Sequence, residues 1–359
     1  MDLYSLPNET GPDNETLDML GNPVIRLALP VVYSFVTLIS IPGNIISLWI
    51  LIRHSKPMTS SIILMINLSI TDLALAMLLP FQIHYHLNGN DWIFGNELCN
   101  VVTIMFYVNM YGTILTIMLI SLERYLGIVY PIKSKMWRKK RYAVGAILLI
   151  WLLLLIALYP MESTDLIYKV KNPNITTCFD VLKWTMLPNL LSWAFFIIGL
   201  FLFFFFIPFF ITVACYVCII RKLIQTSNRH GAGYERRSIN LAIFVLVVFI
   251  TCFAPNNFIL LLHTIVRLFY KKSFYHAYKL TLTLSCLSSC VDPFLYYFAC
   301  KEFRKKALEL LDCRSRGNDW SETRRESLFS ALTFSSGQGE VPDNGKKHRC
   351  NSNRQESDM

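Results

Sequence analysis

Seven long apolar stretches constrain this chain to a membrane protein. Each approaches the ~20 residues that an α-helix needs to cross a bilayer. Hydrophobic residues make up 54% of the 359 residues, more than a soluble protein carries. The runs are continuous, which disfavours a transmembrane β-barrel, whose strands alternate apolar and polar residues. We predict an all-α, seven-transmembrane helix bundle with spans near 24–53, 60–86, 97–129, 142–160, 185–220, 238–266 and 275–300.

Basic residues are distributed unevenly over the segments between these stretches. The first 23 residues contain no Lys or Arg but five acidic residues, whereas the segments after the first, third and fifth stretches all contain Lys and Arg. Because basic loops stay on the cytoplasmic side of a membrane, we predict an extracellular N-terminus and a cytoplasmic C-terminal tail. The net charge of +10 is then a topology signal and gives no support to nucleic-acid binding.

The topology divides the chain into four parts. We predict an extracellular, glycosylated N-terminus over 1–23, the bundle over 24–300, an amphipathic interfacial helix over 301–313 and a disordered cytoplasmic tail over 314–359. Cys313, at the end of the amphipathic helix, is placed for palmitoylation. The predicted glycosylation sites are the sequons on the outer side, Asn8, Asn14 and Asn174.

The third stretch carries a cysteine at one end and an arginine at the other. The 25 steps from Cys99 to Arg124 span roughly 37 Å at ~1.5 Å per residue, enough to cross a hydrocarbon core of ~30 Å. A charge at the boundary of an apolar helix indicates a function; the alternative is an interfacial arginine that extends its charge into water. Of the ten cysteines, Cys99 and Cys178 alone lie in predicted outer segments, which favours a disulfide over two free thiols.

Two carboxylates lie inside predicted spans, Asp72 in the second and Asp292 in the seventh. Unshielded, they would repel each other. A shared proton would relieve the repulsion, and so would a bound sodium ion held by oxygen ligands. The predicted sodium ligands are Asp72, Asn109, Thr113, Ser289 and Asp292. We predict no other cofactor.

A proline lies in the middle of the sixth stretch. Pro255 removes a backbone hydrogen bond and bends a helix, which is what a helix with a swinging inner half requires. Glu235 precedes it by 20 residues, roughly 30 Å along a helix, at the cytoplasmic end. There Glu235 could pair with Arg124 in a closed bundle, or it could remain a solvated loop charge.

Basic residues without acidic neighbours surround the junction of the sixth and seventh stretches. Positive charge on the predicted outer side opposes the usual distribution. An anionic ligand would explain it, and attraction to lipid headgroups is the alternative. The residues concerned are His263, Arg267, Lys271, Lys272, His276 and Lys279.

Several short motifs follow one another along residues 24–313. They are Gly43-Asn44, Asp72, Cys99 with Cys178, Glu123-Arg124-Tyr125, Trp151, Pro208 with Tyr216, Phe249 to Pro255, and Asp292-Pro293 with Tyr296. In this order they resemble the rhodopsin-like G-protein-coupled receptors. The resemblance implies a plasma-membrane receptor that activates a heterotrimeric G protein, with arrestin and receptor kinases acting at the tail. The sequence has no pattern for a catalytic nucleophile with its base, a phosphate loop or a closed metal site, so we do not predict an enzyme.

The resemblance also assigns residues to G-protein coupling. Arg124 is expected to meet the C-terminal helix of the G protein, and Pro131-Ile132 is expected to dock on the G protein. Tyr216 and Tyr296 are expected to repack when the sixth helix swings outward. The full predicted set is Glu123, Arg124, Tyr125, Pro131, Ile132, Tyr216, Glu235, Phe249, Phe253, Pro255, Asp292, Pro293 and Tyr296.

Two features of the motifs narrow the resemblance. Phe253, in place of the usual tryptophan, and the Asp292-Pro293 form resemble the metabotropic purinoceptor family and its lipid- and protease-activated relatives. Nucleotide-binding members carry His-x-x-Arg/Lys where this chain has Asn257 to Leu260, and Lys/Gln-x-x-Arg where it has Lys279 to Leu282. Without those cations a triphosphate would lose charge-assisted hydrogen bonds.

We therefore predict a receptor for an extracellular amphiphilic, lipid-like anion that couples to the Rho-activating Gα(12/13) class. A nucleotide-activated purinoceptor is the alternative ligand class. A transporter and a decoy receptor without signalling are alternatives of another kind. The predicted ligand contacts are Tyr107, Tyr111, Lys183, Asn257, His263, Arg267 and Lys279.

Overall fold

The fold is a bundle of long helices, as the sequence predicts. The computed structural model describes residues 12, 14–131, 134, 139–171, 174–180, 187–230, 235–270, 274–299 and 303. Within these residues six helices are long and apolar enough to cross a membrane. The predictions for Asn8, Ile132, Lys183, Cys313 and the tail over 314–359 lie outside the described residues.

The helices begin and end close to the predicted boundaries. In chain order they are α1 (Asn14–Gly21), α2 (Pro23–Arg53), α3 (Ser60–Leu87), α4 (Gly95–Val129), α5 (Lys140–Glu162), α6 (Leu190–Gly199), a π-helix (Leu200–Phe206), α7 (Ile207–His230), α8 (Glu235–Tyr270), α9 (Tyr275–Cys286) and α10 (Ser288–Ala299). The first four spans are α2 to α5. The fifth consists of α6, the π-helix and α7, the sixth is α8, and the seventh is α9 followed by α10.

The seventh span is interrupted once, at Leu287. Serine hydroxyls near the break bond to backbone carbonyls of their own helix: Ser285 donates to Leu282 O at 2.6 Å, and Ser289 donates to Cys286 O at 2.8 Å. Such bonds compete with the backbone ladder and bend helices. Neither half is long enough alone, but together they reach roughly 36 Å at ~1.5 Å per residue.

The outer faces of the bundle are apolar. In α5, Leu148, Leu155 and Ile156 each expose more of their surface than they bury, at 64%, 63% and 64%. An apolar face of this kind is rare on a soluble monomer and suits contact with lipid. Polar residues such as Asn44, Asp72 and Asp292 are buried inside the bundle instead.

The first and seventh spans approach each other closely. A Cβ atom on Gly43 would lie 3.2 Å from Cγ of Pro293, so glycine is what permits this approach. The side-chain amide of the next residue, Asn44, donates to the backbone carbonyl of Ser289 at 3.0 Å and to that of Ser40 at 3.1 Å. The Gly43-Asn44 motif thus sets the contact between the two spans.

Two small elements cover the end of the bundle where α4 begins, which we call the disulfide end. Helix α1 buries Met19 and Leu20. Strands β1 (Ile167–Val170) and β2 (Ile175–Cys178) form an antiparallel hairpin with Ile167 opposite Cys178. Neither element was predicted from the sequence. The opposite end of the bundle, where α4 ends, is called the Arg124 end.

Candidate functional sites

A disulfide joins the hairpin to the third span. Cys99 at the start of α4 is bonded to Cys178 at the end of β2, with their Cα atoms 5.7 Å apart. Both residues are buried. The predicted disulfide is confirmed, and it holds the residues after β2 over the mouth of the bundle.

The residue after the disulfide turns the chain toward the bundle. Phe179 has a φ of +61°, an uncommon and strained conformation for a bulky residue. Its amide donates to Leu166 O at 3.0 Å, and its ring lies edge-on to that of Tyr107 with the centroids 5.9 Å apart. The backbone at Phe179 therefore brings both this ring and the next residue toward the helices.

That next residue, Asp180, is fully buried in a polar site between the second and seventh spans. Its Oδ1 lies 2.5 Å from Nζ of Lys279 and accepts a hydrogen bond of 2.5 Å from the Tyr275 hydroxyl. Its Oδ2 accepts a hydrogen bond from the Tyr85 hydroxyl. Desolvation alone would raise the pKa of Asp180, but the charge and hydrogen bond of Lys279 hold this pKa below its ordinary value. We call Tyr85, Tyr275 and Lys279 the carboxylate cradle.

The cradle changes what can be expected of Lys279. From the sequence, its charge was expected to bind an anionic ligand, whereas here Asp180 neutralises that charge. The Lys279 side chain is also buried, with 7% of its surface exposed. A ligand contact by Lys279 stays a prediction, and such a contact requires Asp180 to move. The other basic residue of the predicted ligand set in this region, Arg267, lies in α8, whose backbone alone is described at that position.

An aromatic cavity lies beside the cradle. The space between its walls, together with the open solvent at its mouth, amounts to about 570 Å³. Tyr275 belongs both to its wall and to the carboxylate cradle. The described lining residues are Tyr107, Met161, Phe179, Trp193, Phe196, Ile197, Leu200, Leu260, His263, Thr264, Tyr275 and Tyr278.

Hydrogen bonds and ring stacking fix one wall of the cavity. The hydroxyls of Tyr107 and Tyr278 lie 2.5 Å apart and join the third span to the seventh. The ring of His263 stacks on that of Tyr278 at 5.7 Å. Nδ1 of His263 accepts the amide of Phe274 at 3.0 Å. Tyr107 and His263 were predicted ligand contacts, and the structure places both in the lining.

Two other predicted ligand contacts lie elsewhere. Tyr111 is fully buried one turn below Tyr107, and its ring packs against Phe204 with the centroids 5.7 Å apart. Asn257 is buried and donates its side-chain amide to Phe253 O at 2.9 Å, within its own helix. Neither belongs to the described lining, so their contact with a ligand stays a prediction.

The middle of the bundle contains buried oxygen atoms without hydrogen-bond partners among the described residues. They include Oδ2 of Asp72 and of Asp292. The two carboxyl groups lie within hydrogen-bonding reach of each other, but two carboxylate oxygens bond only if one carries a proton. Asn109 donates to Oδ1 of Asp72 at 2.8 Å. Further unpartnered oxygens are Oδ1 of Asn44, Oγ of Ser69 and Oγ1 of Thr113.

This arrangement fits the predicted sodium ion. A hard cation binds carboxylate, amide and hydroxyl oxygens, and these are the atoms left without donors. Of the predicted ligands, Asp72, Thr113 and Asp292 contribute unpartnered oxygens. The Ser289 hydroxyl donates its proton to Cys286 O, which leaves its lone pairs for a cation. A shared proton remains the alternative.

At the Arg124 end, the third span presents the Glu123-Arg124-Tyr125 motif. Glu123 is buried, and its carboxylate accepts a hydrogen bond from the Ser61 hydroxyl of α3. Arg124 is partly exposed, and Tyr216 of α7 is buried. Glu235 begins α8, but its side chain is outside the description, so its pairing with Arg124 stays a prediction. Pro131 is exposed just after α4.

The predicted activation residues of the sixth and seventh spans form a buried aromatic layer. Phe249 stacks on Phe209 with the ring centroids 5.8 Å apart and contacts Phe253 at 5.6 Å. Tyr296 is buried against Phe303, with centroids 6.2 Å apart, and its hydroxyl has no partner among the described residues. Pro255 lies inside α8, and Pro293 inside α10.

Comparison with known proteins decides the family. A sequence profile described as "7 transmembrane receptor (rhodopsin family)" matches residues 43–296. The chain belongs to the rhodopsin-like G-protein-coupled receptors. It is 59% identical over 330 residues to the human S-geranylgeranyl-glutathione receptor P2RY8, with 92% of each chain covered. It is 61% identical over 323 residues to purinoceptor 8 of Gallus gallus, with 90% of each covered.

More distant similarity extends to other receptors of the family. Human proteinase-activated receptor 2 is 36% identical over 310 residues, which cover 84% of this chain and 76% of that receptor. The chain is thus a multi-pass cell-surface receptor whose family signals through G proteins, and not an enzyme. In the receptor, the aromatic cavity is the candidate ligand site and the Arg124 end is the candidate G-protein site.

Proposed function

We propose that the receptor is activated by an extracellular amphiphilic anion whose apolar chain occupies the aromatic cavity. The N-terminus and the disulfide end are then extracellular, in agreement with the acidic N-terminus and the basic loops at the other end. The observation that carries the proposal is the lining itself. All of the twelve described lining residues except His263 and Thr264 are apolar or aromatic, so a hydrocarbon chain gains burial there.

A relative suggests a particular ligand. The human receptor at 59% identity is named for S-geranylgeranyl-glutathione, a prenyl chain joined to an anionic peptide. We propose a ligand of the same chemistry for this chain. A triphosphate fits less well, because its charges would face aromatic rings without the cations that give charge-assisted hydrogen bonds.

We further propose coupling to the Gα(12/13) class, with arrestin and receptor kinases acting at the tail. The observation that supports coupling is at the Arg124 end, where the Arg124 side chain is partly exposed. A ligand that prefers the state with this end open shifts the population toward it. The bound G protein then raises ligand affinity by the same factor. A sodium ion at Asp72 would favour the closed state.

The test is G-protein heterotrimer dissociation in cells that express the full chain. S-geranylgeranyl-glutathione, a panel of anionic lipids and a panel of nucleotides are compared, each with separate Gα classes. A response to the prenylated or lipid anions with Gα(12/13) is expected. A response to nucleotides alone would overturn the ligand class, and a response through another Gα class would overturn the coupling.

A matched pair of variants locates the ligand. Leu200→Trp fills the cavity from the fifth span, whereas Phe203→Trp changes a side chain that is 66% exposed on the same span. We expect Leu200→Trp to weaken agonist potency by at least about fivefold, because overpacking a filled site costs ~1–3 kcal/mol. Phe203→Trp should leave potency unchanged. Equal effects of both would mean that the chain does not bind in this cavity.

A further inference from the structure

We propose that the carboxylate cradle of Tyr85, Tyr275 and Lys279 is a ligand site that the receptor's own Asp180 occupies, and that a ligand carboxylate replaces Asp180 there. The inference rests on the proposed function, because it assigns the anionic end of an amphiphilic ligand to the cradle. It adds to that function a recognition site for carboxylates and an internal competitor.

The cradle has the composition of a carboxylate receptor site. Lys279 and Tyr275 both contact Oδ1 of Asp180 at 2.5 Å, and Tyr85 donates to Oδ2. One cation and two hydroxyl donors thus satisfy both oxygens of a single carboxylate. All three donors are buried, so their attraction for an anion is little screened by water.

The present occupant is held on a loop rather than on a span. Asp180 follows the disulfide by two positions and is reached through Phe179, whose φ of +61° is strained. Withdrawal of Asp180 would let Phe179 relax. A buried ion pair also gains little net stability, because desolvation of both groups offsets their attraction. An incoming carboxylate that restores the same contacts would make the exchange nearly balanced.

The cradle and the cavity share a wall. Tyr275 donates to Asp180 on one side and lines the cavity on the other. Phe179, the residue before Asp180, lines the cavity as well. An amphiphile whose chain lies in the cavity would therefore present its polar end beside the cradle. This adjacency explains how one ligand would both fill the cavity and displace the loop carboxylate.

The decisive variant removes the internal competitor. Asp180→Asn keeps the size of the side chain but removes its charge. The probes are S-geranylgeranyl-glutathione and the same molecule with both carboxylates converted to amides. We expect Asp180→Asn to raise the potency of the dicarboxylate by at least about tenfold, because the ligand no longer competes with the Asp180 carboxylate for the cradle. The diamide should shift by less than about threefold.

Asp165→Asn is the matched control. Asp165 is an exposed carboxylate in the same loop, bonded to the Asn96 amide at 2.7 Å, and its replacement should leave both potencies unchanged. If Asp180→Asn shifts both probes equally, lowers both, or shifts neither, Asp180 is a permanent structural contact and the exchange is wrong.

Lys279→Gln provides an independent measurement if Asp180→Asn does not reach the cell surface. It should lower the potency of the dicarboxylate by at least about tenfold more than that of the diamide. A purely structural role of Lys279 would lower both potencies alike and leave the ratio of the two potencies unchanged. Tyr275→Phe tests the same ratio with the ring retained. If the unaltered receptor responds to neither probe, the proposed ligand class is wrong. If it responds to both and the ratio is constant in every variant, the exchange alone is wrong.

Discussion

The hydroxyl pair of Tyr107 and Tyr278 gives a quantitative prediction for the stability of the receptor. The two oxygens lie 2.5 Å apart, and both side chains are buried. Replacement of one tyrosine by Phe leaves the other hydroxyl without its partner, which costs ~1–3 kcal/mol in a protein interior. Interhelical hydrogen bonds measured in membranes couple by ~0.6 kcal/mol on average and by up to ~1.7 kcal/mol.

We therefore expect Tyr107→Phe and Tyr278→Phe each to lower the free energy of unfolding by about 1 kcal/mol. The double variant should cost no more than either single one, since it leaves no orphaned hydroxyl. A change of this size alters the ratio of folded to unfolded receptor about fivefold. Thermal unfolding of the four purified receptors in detergent measures the coupling as a double-mutant cycle.

A nearby tyrosine serves as the control. The Tyr111 hydroxyl is buried but has no partner among the described residues, so Tyr111→Phe should leave stability unchanged or raise it. Additive losses in the double variant would show that the two hydroxyls do not bond to each other. A loss for Tyr111→Phe as large as that for Tyr107→Phe would refute the assignment of the cost to the broken pair.

Three further predictions concern the two ends and the middle of the bundle. Arg124→Ala should abolish G-protein activation and leave surface expression intact; retained signalling would remove the role of Arg124. Gly43→Leu should force Pro293 away and so lower the stability of the receptor by ~1–3 kcal/mol. Gly145→Leu is the control, because no atom lies within 4 Å of its Cβ position, and it should leave thermal stability unchanged. Equal effects of the two variants would contradict the close approach of Gly43 and Pro293. Sodium should weaken agonist binding to the native receptor and not to the Asp72→Asn variant, and an agonist insensitive to sodium would eliminate the ion.

The spans were predictable from the sequence because their apolar runs are long and continuous. Each run exceeds what a soluble helix carries, and the predicted span over 60–86 became Ser60–Leu87. The disulfide was predictable because the predicted membrane topology places only two cysteines, Cys99 and Cys178, in outer segments. Helix α1 was not, because its apolar residues Leu17, Met19 and Leu20 are too few to stand out from the acidic segment around them.

The carboxylate cradle was not predicted from the sequence, for a different reason. Lys279 was recognised as an unusual cation, but its partner Asp180 lies 99 positions earlier in the sequence, and no local pattern links them. Tyr85 and Tyr275 resemble interfacial aromatics when taken alone. What joins them is the disulfide at Cys178 and the left-handed turn at Phe179, and the second of these is visible only in the folded backbone. Proximity to Cys178 was the one available signal.

The π-helix of the fifth span changes the directions in which side chains before and after it point around the helix axis. Trp193 and Tyr216 are 23 residues apart, and at ~100° per residue an uninterrupted α-helix would point them about 140° apart. Both are nevertheless buried. With i→i+5 bonds each residue turns roughly 80°, so the seven residues of Leu200–Phe206 recover roughly 140°. When this span is compared with an uninterrupted α-helix, a one-residue gap between positions 200 and 206 shifts the phase by ~100° and leaves its two halves about 40° apart.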